Sequence, residues 1–398
     1  MPAPGGLPRD YTLLLAARVL RAFGFGFSAI LIAVHLQARG FDATWIGVAL
    51  AVGLASASFT GLGAAWLASK VGRRRTLALL GLMMSLTGLD LALAPDRWVL
   101  LLAGLTGMLG LANADLGPFL AVEQAMLTDT ASTAGRNRAF GRYSFTGAIG
   151  TAAGSVAAGF ATGLAGTVAF YWLFAGVGVA TAILALLLGE SVEGEDRHGP
   201  FFGSLRPLVG LSALFALDSL GGGLVVNAVI VYWLHVRFGV GPQILGPAFG
   251  VMAVLSALSL ELAGWLADRI GLVNTMVFTH LPSNILLILV PFAPGLYWAL
   301  ALLIVRALIV SMDQPARQAY VVSIVPANER AGALAFTGAV RGVALAAGPA
   351  VTGMAIQAAA LGLPIFAGGG IKIVYDIALY IGFRRRFGDN EALEPKRS

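Results

Sequence analysis

AAWLASKVGRRRTL, residues Ala64 to Leu77, closes one apolar run in a short basic turn and opens the next at once. The pattern returns 199 positions later as AGWLADRIGLVNTM, Ala263 to Met276. Trp66 recurs as Trp265, Leu67 as Leu266, Ala68 as Ala267, Gly72 as Gly271 and Thr76 as Thr275. One half of the chain therefore echoes the other, and the remaining segments can be placed around these two turns.

The segments on either side are apolar almost throughout. Hydrophobic residues make up 58% of the 398 and charged residues 12%, against about 25% charged in a soluble domain. Runs of about 20 apolar residues recur along the chain, the length a helix needs to cross a bilayer. A membrane barrel would show segments of about 10 residues alternating in polarity, and none occur. The composition specifies a polytopic α-helical membrane protein. Its 52 glycines suit membrane helices, which associate by close packing of small residues. Without cysteine there is neither a disulfide nor a thiolate metal site. The first apolar segment lacks a convincing small-residue cleavage site and is expected to be a retained span.

Twelve spans are expected, at 11–37, 43–68, 73–94, 97–127, 137–163, 166–189, 207–236, 242–267, 272–292, 295–325, 331–359 and 362–383. They form an N-terminal six-helix bundle (1–189), a polar linker (190–206), a second six-helix bundle (207–383) and a tail (384–398). Lys and Arg concentrate on the cytoplasmic side of helical membrane proteins. With the N-terminus inside, 17 of them fall in cytoplasmic segments and three (Arg39, Arg97, Arg237) outside. Both termini are thus expected in the cytoplasm of a cell (inner) membrane. Topogenesis accounts for the net charge of +6, and a nucleic-acid partner is not expected.

The echo extends beyond the opening stretch. Gln124 matches Gln318, and Phe145-Thr146-Gly147-Ala148 recurs as Phe336-Thr337-Gly338-Ala339. Two halves of six spans each enter the membrane in the same sense, a parallel repeat about an axis along the membrane normal. With its two turns, the chain resembles the major facilitator superfamily (MFS) of secondary transporters over nearly its whole length. That family's turn between its second and third spans reads approximately G-x-L-a-D-r-x-G-r-r. Leu67, Ala68, Gly72, Arg73 and Arg74 match it, with Ala65 and Ser69 in place of the usual Gly and Asp. Gly264, Leu266, Ala267, Asp268, Arg269 and Gly271 match in the second copy, which lacks the trailing arginines. The resemblance implies a cytoplasmic latch at Ser69, Lys70, Gly72, Arg73, Arg74 and Arg75 and at Asp268, Arg269 and Gly271; the alternative is that the basic residues only set topology. Gly154 to Gly159 and Gly348 to Gly353 resemble the G-P-x-x-G-G element of antiporters, although close packing of small residues explains them equally.

Twelve charged residues of the expected spans are candidates for membrane depth: Arg18, Arg21, Arg306, Arg317, Arg341 and Lys372, and Asp115, Glu123, Asp218, Glu261, Asp313 and Asp376. Charges at membrane depth are costly and face a bundle interior or an aqueous cavity. The repeat sets Arg21 opposite Asp218 and Glu123 opposite Arg317, with the signs exchanged. Depth at about 1.5 Å per residue pairs Arg21 with Asp115, Arg18 with Glu123 and Asp218 with Arg317, leaving Asp313 beside Gln314 and Pro315. Lys372 and Asp376, at i and i+4, are expected to pair on one helix. The resemblance implies that spans one, four, seven and ten line a central cavity. Pro118 and Pro315 could free backbone groups for a ligand. Asn113, Gln124, Asn227, Gln318 and Arg341 could hydrogen-bond substrate or bridge helices, and His35 and His235 fall near interfaces.

The function expected is secondary transport of a small organic solute by alternating access, with proton-coupled efflux ahead of uptake or uniport. A carboxyl that alternates between an arginine and a proton is a reasonable coupling device, and Asp115 and Asp313 are the first choices. No cofactor, metal ion or enzymatic activity is expected, and the chain should work as a monomer. A membrane sensor or intramembrane enzyme is the competing class. It has neither a nucleophile motif nor a metal motif behind it, and no Walker segment points to ATP.

Overall fold

In the computed structural model, residues 9–93, 96–109, 118–130, 136–193, 206–325 and 330–391 are described. They contain fifteen α-helices and no strand. Nine apolar stretches of these helices are long enough to cross a membrane. The first three spans are α1 (Arg9–Ala38), α2 (Ala43–Val71) and α3 (Arg73–Leu93). The fourth is divided into α4 (Arg97–Leu105) and α5 (Leu120–Thr130), and the fifth and sixth are α6 (Arg136–Ala158) and α7 (Gly163–Leu186). In the second half α8 (Arg206–Gly223) and α9 (Asn227–Phe238) make the seventh span. The eighth and ninth are α10 (Pro242–Ile270) and α11 (Leu272–Leu289). The tenth is α12 (Leu296–Ala307) and α13 (Asp313–Ser323), followed by α14 (Arg330–Gln357) and α15 (Leu363–Glu391). The order of the described helices is consistent with the twelve expected spans; the seventh and tenth are each built of two helices, and α4 ends at Leu105.

Local chemistry explains where the helices stop. Asp42 caps α2 by accepting from the Trp45 N–H at 2.9 Å, and Asp96 caps α4 from Trp98 at 3.0 Å; each satisfies an orphan donor of a first turn. Between α12 and α13 the chain winds more tightly, with Ile309 N–H donating to Arg306 O and Gln314 N–H to Ser311 O. Pro315 lies in the first turn of α13, where a missing N–H costs nothing. The carbonyl that it would leave bare, Ser311 O, is taken by Gln314, so the backbone group expected to be freed there is satisfied within the turn.

The chain divides into two compact units. Unit 1 comprises Met1–Arg197 with Val226–Val254 and Pro349–Leu361. Within it α1 packs along α6 and α7, α3 along α7, and α9 also lies on α1. Small residues close one end, near the turn from α1 to α2. A Cβ on Gly47 of α2 would collide with the Pro349 carbonyl of α14, and one on Gly353 with the Ala43 carbonyl. Ala43 N–H donates to Gln357 Oε1 at 3.2 Å in the same seam. On α6, Ser155 and Gly159 receive Gly246 of α10 as closely. The two glycine-rich elements at 154–159 and 348–353 therefore lie at close helix contacts.

Unit 2 comprises His198–Val225, Leu255–Gly348 and Gly362–Ser398. Its core joins α8, α11, α13 and α15 through Leu211, Phe215, Met276, Tyr320, Tyr375 and Leu379. The Phe215 and Tyr375 rings meet at a tilt of 58°, their centres 6.4 Å apart.

Candidate functional site

Each unit buries one group of charges. In unit 1 the group is small and closed. Arg21, on the buried face of α1, pairs with Glu123 of α5, and Tyr143 of α6 donates its hydroxyl to the same carboxylate at 2.5 Å. The Arg21 guanidinium lies over the Phe119 ring, 4.2 Å from its centre. All three polar residues are buried. Arg18, one turn earlier, lies over the Tyr143 ring at 4.5 Å. The expected pairing of Arg18 with Glu123 is thus replaced by Arg21 with Glu123. The reason is helix length: α5 runs to Thr130, three residues past the expected end, which sets Glu123 about 4.5 Å deeper. Asp115 and Asn113 lie outside the described residues. Glu123 Oε1 and Thr181 Oγ1 are buried without a hydrogen-bond partner, and both residues line one small cavity with Arg21, Leu77 and Leu188.

In unit 2 the group is larger and its partners are shared. Asp218 of α8 takes Lys372 of α15 on Oδ1 at 2.6 Å and Arg317 of α13 on Oδ2 at 3.3 Å. Arg317 donates with the same nitrogen to Asp313, one turn earlier on α13, at 2.8 Å. Asp313 stands in the first turn of α13, where the helix dipole favours a carboxylate. The expected Asp218–Arg317 contact is present, and Asp313, expected to stand apart, joins it. The expected Lys372–Asp376 pair is absent. Asp376 instead meets His280 Nδ1 of α11 at 2.8 Å and the Asn284 amide at 2.9 Å. The two residues do share a face of α15, but that face is packed on both α8 and α11, and a partner on each neighbouring helix captures one of them. Arg341 of α14 donates its Nε to Ser219 Oγ at 3.2 Å.

His280 and Asn284 went unrecognised in the sequence. Their spacing of four on the buried face of α11 was the available signal, and it is common in packed helices. Tyr143 was missed because a tyrosine in an apolar run carries no charge to count. His35, expected at an interface, is buried, bonded to Thr167 Oγ1 at 2.8 Å and Leu91 O at 2.9 Å. His235 stays at its helix end, bonded to Val240 O at 2.7 Å. Gln124 and Gln318 are exposed, turned away from Glu123 and Arg317. Asn227 is partly buried at the start of α9.

Ligand atoms of Asp218, His280 and Asp313 lie within 4.8 Å of one another, close enough to share a metal ion. Lys372 and Arg317 already occupy those carboxylates, so a metal ion would sit against two fixed positive charges.

The two basic turns repeat in geometry as well as in sequence. Gly72 and Gly271 have φ of +93° and +85°, conformations that favour glycine. Thr76 and Thr275 each donate a hydroxyl to the carbonyl of that glycine, at 2.8 and 2.9 Å. Beyond this they differ. Ser69 only closes a local bond to Trp66 O, but Glu193 from the linker caps α3, accepting from Arg73 N–H at 2.5 Å and Arg74 N–H at 3.2 Å. The Arg73 and Arg74 side chains bond Val192 O and Leu186 O. Lys70 and Arg75 are exposed. In the second copy Asp268 is exposed, and Arg269 stacks on Trp265, 4.1 Å from the ring centre.

The family model described as Major Facilitator Superfamily matches residues 14–349 and, in a second alignment, 211–398. The chain belongs to that superfamily. The second alignment begins in the second half, as an internal repeat requires. A curated relative, the uncharacterized membrane protein YJR124C of Saccharomyces cerevisiae, is 24% identical over 93% of each chain. Among solved structures, the nucleoside transporter NupG superposes with a TM-score of 0.76 at 15% identity, over 94% of this chain and 99% of its own. A D-xylose-proton symporter gives 0.71 at 15%, over 93% and 97%. A bacterial homologue of the human lysosomal transporter Spinster, inward-facing and occupied, gives 0.71 at 16%, over 97% and 98%. These likenesses show the MFS fold.

Proposed function

We propose that the protein is a secondary active transporter that moves a small organic solute by alternating access and couples this movement to protons. The observation that carries the coupling is the sharing of Arg317 between Asp218 and Asp313. Removing one partner of a buried ion pair ordinarily strands the other at about 3–5 kcal/mol. If Asp313 takes a proton, however, Arg317 keeps Asp218, and no cation is stranded. Asp218 itself is held by Lys372, Arg317 and the nearby His280. Asp313 is therefore the carboxyl free to exchange. The charged and titratable groups around it are Arg317 on its own helix, Asp218 on α8, Arg306 on α12, His280 on α11, Arg341 on α14, and Lys372, Tyr375 and Asp376 on α15.

The seam of small residues in unit 1 is the contact that would open and close in the transport cycle. Both termini are assigned to the cytoplasmic side on the bias of basic residues, and the protein is assigned to the cell membrane as a monomer. The sign of the linkage between proton and solute sets the mode. Competition gives exchange and efflux, and joint binding gives cotransport.

The test is solute flux in proteoliposomes under an imposed pH gradient, with the native protein, D313N and D115N. Accumulation driven by pH should be lost in D313N while counterflow without a gradient persists. Full pH-driven accumulation in both variants would exclude these carboxyls as couplers.

A further inference from the structure

The repeat of 199 positions sets His280 of α11 opposite Gly81 of α3, and Asn284 opposite Ser85. In unit 1 the seam at these positions is closed by backbone. A Cβ on Gly81 would meet the Ala182 nitrogen of α7 at 2.7 Å, and one on Gly178 of α7 would collide with the Ser85 nitrogen. Small residues thus suffice to pack the third span on the sixth. In unit 2 the α11–α15 seam holds His280, Asn284, Lys372 and Asp376 instead, all buried. Packing does not require these polar groups, and burying them is costly. Their contacts leave one carboxylate without a fixed cation. Asp376 has no exposed surface, and among the described residues it is reached only by His280 Nδ1 at 2.8 Å and the Asn284 amide at 2.9 Å. Lys372, one turn earlier on α15, is bonded to Asp218. An amide and a neutral imidazole bring no charge, and a buried carboxylate without a counter-charge neutralises by taking a proton. The imidazole can supply that counter-charge. Its other nitrogen, Nε2, lies 3.6 Å from Asp218 Oδ1, so an imidazolium would stand between two carboxylates, with Lys372 Nζ 3.5 Å from the same nitrogen.

We infer that His280 and Asp376 form a second proton site in unit 2, holding one proton between them as imidazolium with carboxylate or as imidazole with carboxyl. The proton belongs to the pair rather than to either residue. The site is distinct from Asp313, whose partner is Arg317, and it stands whether or not the protein moves a solute. The two sites still act on each other. Ligand atoms of His280 and Asp313 lie within 4.8 Å, so a proton at either weakens the binding of a proton at the other. The charged and titratable side chains around the pair are Asp218 on α8, Arg306 on α12, Asp313, Arg317 and Tyr320 on α13, Arg341 on α14, and Lys372 and Tyr375 on α15. The sign of the linkage follows from the unfolded chain, where aspartate and histidine have both released this proton by about pH 7. The pair's contribution to stability is therefore full at low pH, and it is lost as pH rises through the value at which the folded pair lets go.

The experiment locates the proton in the purified full-length protein in detergent, by nitrogen NMR of the histidine rings and infrared spectra of the carboxyl groups at about pH 7. The His280 signals are assigned through H280Q, or through H35Q, H198Q and H235Q if H280Q does not fold. Either the His280 ring should show imidazolium shifts, or a carboxyl C=O band should be present that D376N removes. A neutral ring together with an ionised Asp376 overturns the proposal. Thermal unfolding from about pH 5 to about pH 9 gives the second readout. The native protein should lose a few degrees of melting temperature as pH rises, and D376N should flatten that slope. H280Q should be less stable than the native protein at high pH, and adding D376N to it should restore stability, because no carboxylate is then stranded. A pair that only contributes a hydrogen bond would show no such rescue and equal costs at every pH, which also overturns the proposal. Stabilisation by Zn²⁺ that H280Q abolishes would make the ring a metal ligand, and the proton site would fall.

Discussion

Around Glu123, among the described residues, one guanidinium and one phenol meet the same carboxylate. Around Asp218 three carboxylates, two bound cations, a histidine and an amide hold one another in a branched set. The sequence repeat sets Glu123 opposite Arg317, and the two positions carry a single pair in one case and a shared network in the other. A closed pair is rigid because losing either partner strands a charge at membrane depth. A shared network can lose one charge and stay paired. On the coupling proposed above, the second arrangement is the one in which a carboxyl could take a proton while Arg317 keeps a partner.

The largest expected effect is on the closed pair. E123Q removes the carboxylate that Arg21 meets among the described residues and should destabilise the protein by about 3–5 kcal/mol, measured by thermal unfolding in detergent at constant detergent and lipid. An E123Q protein as stable as the native one would remove the contrast altogether. Y143F takes away the second donor to Glu123, a hydrogen bond to a charged group worth about 1.5–3 kcal/mol, and should leave Arg21 in place. D313N should cost only about 1 kcal/mol, the loss of an ordinary hydrogen bond, since Arg317 keeps Asp218. Should D313N prove as damaging as E123Q, Arg317 is not shared in the way that coupling needs. The smallest effects belong to the two basic turns. E193A removes the cap of α3 and should cost about 0.5–2 kcal/mol, whereas D268A, at an exposed position, should stay within about 0.5 kcal/mol. Equal costs at the two turns would mean that their asymmetry is only apparent.

The turns show where the linear pattern stops being informative. Ser69 stands where the family motif has an acid, and from the pattern alone the first turn lacks that charge. Glu193, more than a hundred residues away, brings a carboxylate to the turn and caps the same helix. No spacing rule connects positions 69 and 193; the segment is held at the turn by Arg73 on Val192 O and Arg74 on Leu186 O, and Asp10 accepts from Gly189 N–H at 3.0 Å, tying the end of the sixth span to the start of the first. The helix breaks show the opposite case. Pro315 was visible as an interruption in the tenth span, but whether it left a bare carbonyl depended on how the preceding residues wound.

Among the expected charges, Arg18, Arg21, Glu123, Asp218, Asp313, Arg317, Lys372 and Asp376 are buried. Hydrophobic length and the echoed turns by themselves pointed to a helical membrane protein of the major facilitator superfamily. These features are properties of segments, set by the thickness of a bilayer and by helical rise, and they survive an error of several residues. Partner choice does not survive such an error. Three residues at the end of α5 moved Glu123 from Arg18 to Arg21, and packing on two neighbouring helices separated Lys372 from Asp376. An ion pair is decided within about 1 Å of side-chain position, and that precision comes only from the packed helices.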